Sequence, residues 1–305
     1  MKNYERLKGM IAATFTPMHE DGSLHLEMIE RYADYIAAIG VSGVFVCGTT
    51  GESLSLTVNE RKLVLEKWIQ YAKGRFRVIA HVGCNSQVEA MELARHAMES
   101  GAYAIAAMAP SFFKPQSVAD LVAFFTPIAK SAEDLPFYYY NMPSMTGVSL
   151  SVVEFLIEGK KIMPNLVGVK YTHNNLMEMG ECLTLCDGTF EVLHGYDEIL
   201  ISGLAFGAIA GVGSTYNYLP QVYQGIFDAM EKNDLVTARK LQQKSIDIVK
   251  VIIKYGGGVR GGKAIMRYVG VDCGPCRLPI HPFGEEEYEC LQKDLEANDF
   301  FNKKV

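Results

Sequence analysis

The chain has 305 residues, 49% hydrophobic and 21% charged, with a net charge of −6. This is an ordinary globular composition with room for a large core, and it excludes disordered and fibrous classes. The acidic balance and the lack of any Lys/Arg run argue against nucleic acid as a partner, so a ligand must be held by local groups.

The opening stretch MKNYERLKGM has no apolar core of signal-peptide length. No later segment reaches the roughly 18 apolar residues of a membrane span, so a cytoplasmic protein with no membrane partner is expected. Apolar runs of strand length then recur at Gly9 to Phe15, Gly43 to Cys47, Phe76 to Val82, Ala104 to Met108, Pro136 to Tyr140, Leu166 to Lys170, Phe190 to His194 and Ala208 to Gly213. Helical patterns lie between them. Ile29, Tyr32, Ala33 and Ile36 follow the i, i+3, i+4, i+7 spacing, as do Leu65, Trp68, Ile69 and Ala72. Thr57-x-x-Glu60, Ser86-x-x-Glu89 and Ser151-x-x-Glu154 read as capping boxes, and helix ends are expected near Gly40, Gly74 and Gly101.

Eight such alternations with continuous apolar strands predict parallel strands covered by helices. No glycine-rich dinucleotide turn follows the first strand, which favours a closed (β/α)8 TIM barrel over an open doubly wound sheet. The barrel is expected over residues 1–217. Residues 218–305, with a long helix from about Asp234 to Tyr255, read as a helical extension packed on it.

In a barrel the chemistry sits at the C-terminal ends of the strands. The sixth run, Leu166-Val167-Gly168-Val169, ends on Lys170. In water such an amine is unprotonated in about one molecule in 2,500 at pH 7, and desolvation raises that fraction toward what Schiff-base chemistry needs. A lysine that merely caps the strand and points to solvent is the alternative. The second run is followed by Gly48-Thr49-Thr50-Gly51-Glu52, where two hydroxyls and turn N–H groups suit a carboxylate or simply form a polar loop. The fifth run ends on Tyr138-Tyr139-Tyr140, and alternation allows Tyr140 to face the barrel mouth as a proton carrier or as packing. After the seventh comes His194-Gly195-Tyr196-Asp197-Glu198, whose paired acids suit hydroxyls, a cation or a helix dipole. The eighth ends on Gly211-Val212-Gly213-Ser214-Thr215, a small-residue turn with room for a ligand. Together these outweigh the packing reading of each.

Other features read as structural. Seven scattered cysteines fit reduced thiols, with Cys182 and Cys186 on one helix face. Cys273-Gly-Pro-Cys276 is a lone CxxC with only His281 and Cys290 nearby, too few for a zinc site. Gly257 to Lys263 nearly matches a phosphate-binding loop, but Ala264 replaces the required Ser/Thr and a helix precedes it. His81, His96 and His173 show no ligand spacing.

The motifs GTTGE at 48–52, YNMP at 140–143, GVKYT at 168–172 and GSTYN at 213–217 resemble those of the class I pyruvate-dependent aldolases. That family includes dihydrodipicolinate synthase and N-acetylneuraminate lyase, and the likeness runs from about Leu7 to at least Phe283. The resemblance implies a Schiff base on Lys170, a proton relay through Tyr140 and a carboxylate held by Thr49 and Thr50, with Thr172 in the same lysine motif. It implies a small 2-keto acid substrate, no metal or organic cofactor, and a homotetramer. Met145 stands where the synthase branch usually has an arginine for a second carboxylate, which argues against a dicarboxylate. The lyase branch carries GYDE, intact here at Gly195 to Glu198. By that resemblance Asp197, Glu198, Ser214 and the Gly195 backbone would hold the polyol arm of a sialic acid, cleaved reversibly to N-acetylmannosamine and pyruvate. The alternatives are the synthase reaction, another 2-keto-3-deoxy sugar acid, or an inert keto-acid-binding barrel. Two positions depart from the lyase pattern. GTTGE with Thr49 is the synthase spelling, and Phe112 stands where relatives often place a tyrosine that reaches a neighbouring subunit's site.

Overall fold

Residues 4–302 are described in a computed structural model. Strands β1 (Gly9–Ala13), β2 (Gly43–Val46), β3 (Arg77–His81), β4 (Ala104–Met108), β5 (Phe137–Asn141), β6 (Leu166–Tyr171), β7 (Glu191–His194) and β8 (Ala210–Gly213) pair in parallel in chain order, and β8 closes on β1. The expected barrel is therefore present. The apolar runs overshoot the ladders slightly. Phe15, for example, lies past β1 and donates its N–H to the Tyr32 hydroxyl instead of a strand (3.4 Å).

Alternation along each strand builds two cores. Ile11, Phe45, Ile79, Ala106, Tyr138 and Val212 fill the barrel interior. Val44, Ala107, Tyr139 and Val169 face outward against the helices. The helix Met28–Ala38 buries the expected Ile29, Tyr32, Ala33 and Ile36. In the helix Val58–Ala72, Ile69 is only half-buried, and the inward face is Arg61, Val64, Leu65, Trp68 and Ala72.

Thr57 and Glu60 form the full reciprocal box. Ser86 and Ser151 accept the expected backbone bond without the return bond from glutamate. Ser117 and Asp120 make an unforeseen box, because aspartate does the work expected of glutamate. The chain turns at Gly40, Gly74 and Gly101 with positive φ, as expected. Cys182 is buried on the helix Leu176–Thr184, whereas Cys186 lies beyond its end and is exposed, so the two share no packed face.

One irregularity sets the phase of β6. Phe137 pairs with Leu166 but Tyr138 pairs with Gly168, leaving Val167 as an extra residue on β6. This is a β-bulge. Leu166 and Val169 both face the helices, although an unbroken alternation would put them on opposite sides. Past the bulge Lys170 therefore turns inward, over the interior rings of Phe45 and Tyr140. Only glycine fits at the bulge, since a Cβ on Gly168 would lie 2.0 Å from the Glu191 carbonyl oxygen.

After β8 the helix Pro220–Glu231 follows, packed against Leu235–Lys254, with Gly257–Ile265 and Glu285–Ala297 beyond. This segment is pinned to the turn after β2. Lys263 makes a buried ion pair with Glu52 at 2.8 Å. The Arg277 N–H donates to the same carboxylate (2.9 Å), and its guanidinium pairs with Glu60. The glycine-rich segment thus forms part of a helix, and its lysine is a structural cation. No helix among the described residues is long and apolar enough to cross a membrane.

Candidate active site

Lys170 is 4% exposed. Its Nζ lies 4.1 Å from the Phe45 ring centre and 4.0 Å from that of Tyr140. Burial pushes the amine down to about 7, against the opposing influence of the Asp197 charge. About half the molecules then hold a free amine at pH 7.

Tyr140 sits inside the barrel beside Lys170, while Tyr139 faces the helices, as alternation requires. Its hydroxyl lies 3.3 Å from Thr49 Oγ1 and 3.1 Å from Met142 Sδ. Burial pushes the phenol up to about 12, so it carries its proton at neutral pH. His81 packs edge-on at 5.8 Å below it.

The turn bearing Thr49 and Thr50 is held from beneath. Cys47 and Glu52 adopt positive φ. The Cys47 carbonyl meets His81 Nδ1 at 2.8 Å, and buried Arg61 donates to the carbonyls of His81 (2.6 Å) and Gly83 (3.0 Å). Burial and the Arg61 charge hold His81 far below its usual range, and therefore neutral.

Opposite, Asp197 Oδ2 accepts bonds from the Thr215 backbone N–H (3.0 Å) and hydroxyl (2.5 Å). Its Oδ1 is buried without a partner, as is the Thr172 hydroxyl. Burial pushes the carboxyl up to about 6. Space for both groups exists because two neighbours lack side chains: a Cβ on Gly213 would lie 1.7 Å from Asp197 Oδ1, and one on Gly195 would lie 2.0 Å from Thr172 Oγ1. Both unpaired atoms belong to residues that line one space, which suits that space to a polar ligand.

All nine expected residues line a single cavity of about 430 Å³: Thr49, Thr50, Tyr140, Lys170, Thr172, Gly195, Asp197, Glu198 and Ser214. Its wall also includes residues that the sequence did not single out, namely Met142, Thr215 and, from the C-terminal segment, Ile252 and Val259. Thr215 stood next to Ser214 in the small-residue turn, but nothing local marked it as the partner of Asp197. A smaller chamber of about 180 Å³ adjoins, sharing Thr49, Met145, Val259 and Ile280 as walls. Phe112 lines neither space; it is 76% exposed and stacks edge-on with Phe113 at 4.9 Å.

The remaining sequence features lie elsewhere. Cys273 and Cys276 are buried free thiols, pushed up to about 12 by burial, the opposite of a thiolate metal site. His96 pairs with Glu66 at 2.8 Å.

Residues 6–298 match the dihydrodipicolinate synthetase family. The chain belongs to that family. Among relatives, an N-acetylneuraminate lyase of Gallus gallus is 43% identical over 297 residues, spanning 96% of each chain. The solved N-acetylneuraminate lyase of Proteus mirabilis superposes with a TM-score of 0.94 at 37% identity, covering 97% of this chain and all of that one. A dihydrodipicolinate synthase of Aquifex aeolicus superposes at 0.88 with 28% identity, over 96% of this chain and 99% of that one. Within the dihydrodipicolinate synthetase family, likeness is thus greater to these lyases than to this synthase.

Proposed function

We propose that the protein is a Schiff-base aldolase that cleaves N-acetylneuraminate reversibly to N-acetylmannosamine and pyruvate. The observation that carries the reading is a buried amine with a pKa near 7, set beside a phenol and across a cavity from an unpaired carboxylate oxygen.

In the cleavage direction the free amine of Lys170 adds to the C2 ketone of the open-chain sugar acid, and loss of water gives a protonated imine. The C4 hydroxyl then loses its proton, the C3–C4 bond breaks, and its electrons flow into the imine to give an enamine. Tyr140 handles that proton. Because its phenol is held near 12, it acts as a carrier, taking the C4 proton as its own passes, directly or through the Thr49 hydroxyl, to the substrate carboxylate. Protonation of the enamine at C3 and hydrolysis release pyruvate and restore Lys170. No metal or organic cofactor enters these steps. Thr49 and Thr50 hold the keto-acid carboxylate, with the Thr172 hydroxyl beside it.

Asp197, Glu198, Ser214 and the Gly195 backbone hold the polyol arm. Unpaired Asp197 Oδ1 and half-buried Glu198 supply acceptors that sugar hydroxyls require. Met145, 61% exposed at the mouth, offers no cation to a second carboxylate, and this favours a sugar acid over the synthase reaction. Phe112 and Phe113, 76% and 85% exposed, favour an assembly of copies, and a homotetramer is the form that the family resemblance implies. Free thiols at all seven cysteines fit a reducing compartment such as cytoplasm.

The deciding experiment is borohydride reduction with pyruvate, followed by mass spectrometry of the Lys170 peptide. It is paired with pyruvate release from N-acetylneuraminate and from simpler 2-keto-3-deoxy acids. Absence of the adduct overturns the Schiff base, and equal turnover of the simpler acids overturns the substrate.

A further inference from the structure

Outside the cavity, the loop between β1 and the helix Met28–Ala38 carries the one group of three metal-ligating side chains found among the described residues: His19, His25 and Glu27. One ligand atom from each lies within 4.8 Å of the others. The two imidazoles stack with ring centres 4.2 Å apart. His19 and Glu27 are exposed and His25 is half-buried, so a cation can reach them. From this geometry we infer a surface binding site for a zinc-like divalent transition metal, built from His19, His25 and Glu27.

Donor type comes first. Two imidazoles and one carboxylate are a set that zinc accepts, with water in the fourth position. Tetrahedral zinc bound at about 2.0–2.1 Å places its ligands about 3.3–3.4 Å apart, so small rotations about side-chain bonds close the remaining distance. Magnesium and calcium prefer all-oxygen shells and are disfavoured here.

The second argument is preorganisation. His19 and His25 flank a hairpin whose backbone is already fixed. Met18 bridges Leu24, the His19 N–H donates to the Ser23 carbonyl (2.9 Å), and the His25 N–H donates to the Pro17 carbonyl (2.9 Å). Asp21 closes the tip by accepting from the Ser23 N–H and hydroxyl. The hairpin is then clamped on the C-terminal segment, where the Met18 N–H meets the Cys273 carbonyl (3.0 Å) and Arg277 Nε meets the Gly22 carbonyl (2.9 Å). The scaffold is rigid while the ligating side chains are unengaged. Within the described residues none of the three is committed to a hydrogen bond or an ion pair. A bound ion would staple the hairpin to the residue preceding the first helix, stiffening the loop that leaves β1 on the active-site face.

The test uses full-length protein stripped with EDTA and titrated with zinc chloride at neutral pH by calorimetry, with thermal unfolding in parallel. About one zinc per chain is expected, with a rise in Tm that magnesium does not reproduce. His19→Asn and Glu27→Gln should each weaken binding by about tenfold or more while pyruvate release is unchanged. A Cys186→Ser/Cys290→Ser variant, lacking the exposed thiols, should bind as the parent does. Absence of zinc binding, persistence of full affinity in His19→Asn/His25→Asn, or its loss in the double serine variant would each overturn the site.

Discussion

The Nζ of Lys170 lies over the face of the Tyr140 ring, 4.0 Å from its centre, while the Tyr140 hydroxyl is turned to Thr49 at 3.3 Å. The ring and the hydroxyl therefore do different things. An aromatic face favours the ammonium form, whereas burial acts against it and pushes Lys170 down to about 7. The hydroxyl is engaged with Thr49 and Met142 and not with the amine.

Tyr140→Phe separates the two roles. The ring stays, so the variant is expected to form the reducible pyruvate adduct, while cleavage of N-acetylneuraminate falls by about 10²–10⁴-fold. Equal loss of adduct and cleavage would show that the phenol acts earlier than proposed.

The depressed pKa of Lys170 has two readouts. Adduct formation should rise about tenfold per pH unit on the acid side of about 7 and level off above it. The unfolded chain, with its lysine near 10.5, binds more protons than the fold between about 7 and 10.5, so this residue makes stability rise with pH across that window. Lys170→Met should abolish the adduct and raise Tm at neutral pH, by a margin that shrinks toward pH 10.5. Thermal melts across the range check both.

Asp197 has the opposite sign. Its folded carboxyl titrates near 6 against 3.8 unfolded, so it lowers stability progressively as pH rises through that interval and fully above it. Asp197→Asn should add up to about 3 kcal/mol above pH 6 and nothing below about pH 4. The same substitution should raise KM for N-acetylneuraminate about tenfold or more while leaving the pyruvate adduct intact. Unchanged KM would remove Asp197 from the polyol site.

Lys263 and Glu52 form a buried pair, and Lys263→Met alone leaves an uncompensated carboxylate. A loss of about 3–5 kcal/mol in urea unfolding is expected, with much of it recovered in Lys263→Met/Glu52→Gln. Additive losses would mean that the pair does not couple the C-terminal segment to the turn after β2.

The barrel was legible because strands buried on both faces read as unbroken apolar runs. The inward face of Tyr140 followed from simple alternation, and Lys170, Asp197 and the threonines stood where strands end. Long-range partnerships were not legible. Glu52 looked like one more polar residue of its turn, and its cation lies 211 positions away in a stretch that mimics a phosphate loop. Arg61 stood in an amphipathic helix where charge normally marks solvent, yet it turns inward to hold the end of β3 through the carbonyls of His81 and Gly83. The free Asp197 oxygen depends on Gly213, a neighbour only after the barrel closes.

The extra residue at Val167 makes the direction of the nucleophile a question of parity. Straightening the bulge with all six residues kept would swing Lys170 outward among the helices without altering the strand's hydrophobicity. Such a protein could fold into a barrel and still lack a reactive amine. Moving this chemistry to another barrel therefore means transplanting the six residues Leu166–Tyr171 as one piece, glycine and surplus residue included, because a lysine placed alone at the matching height would inherit the host strand's count.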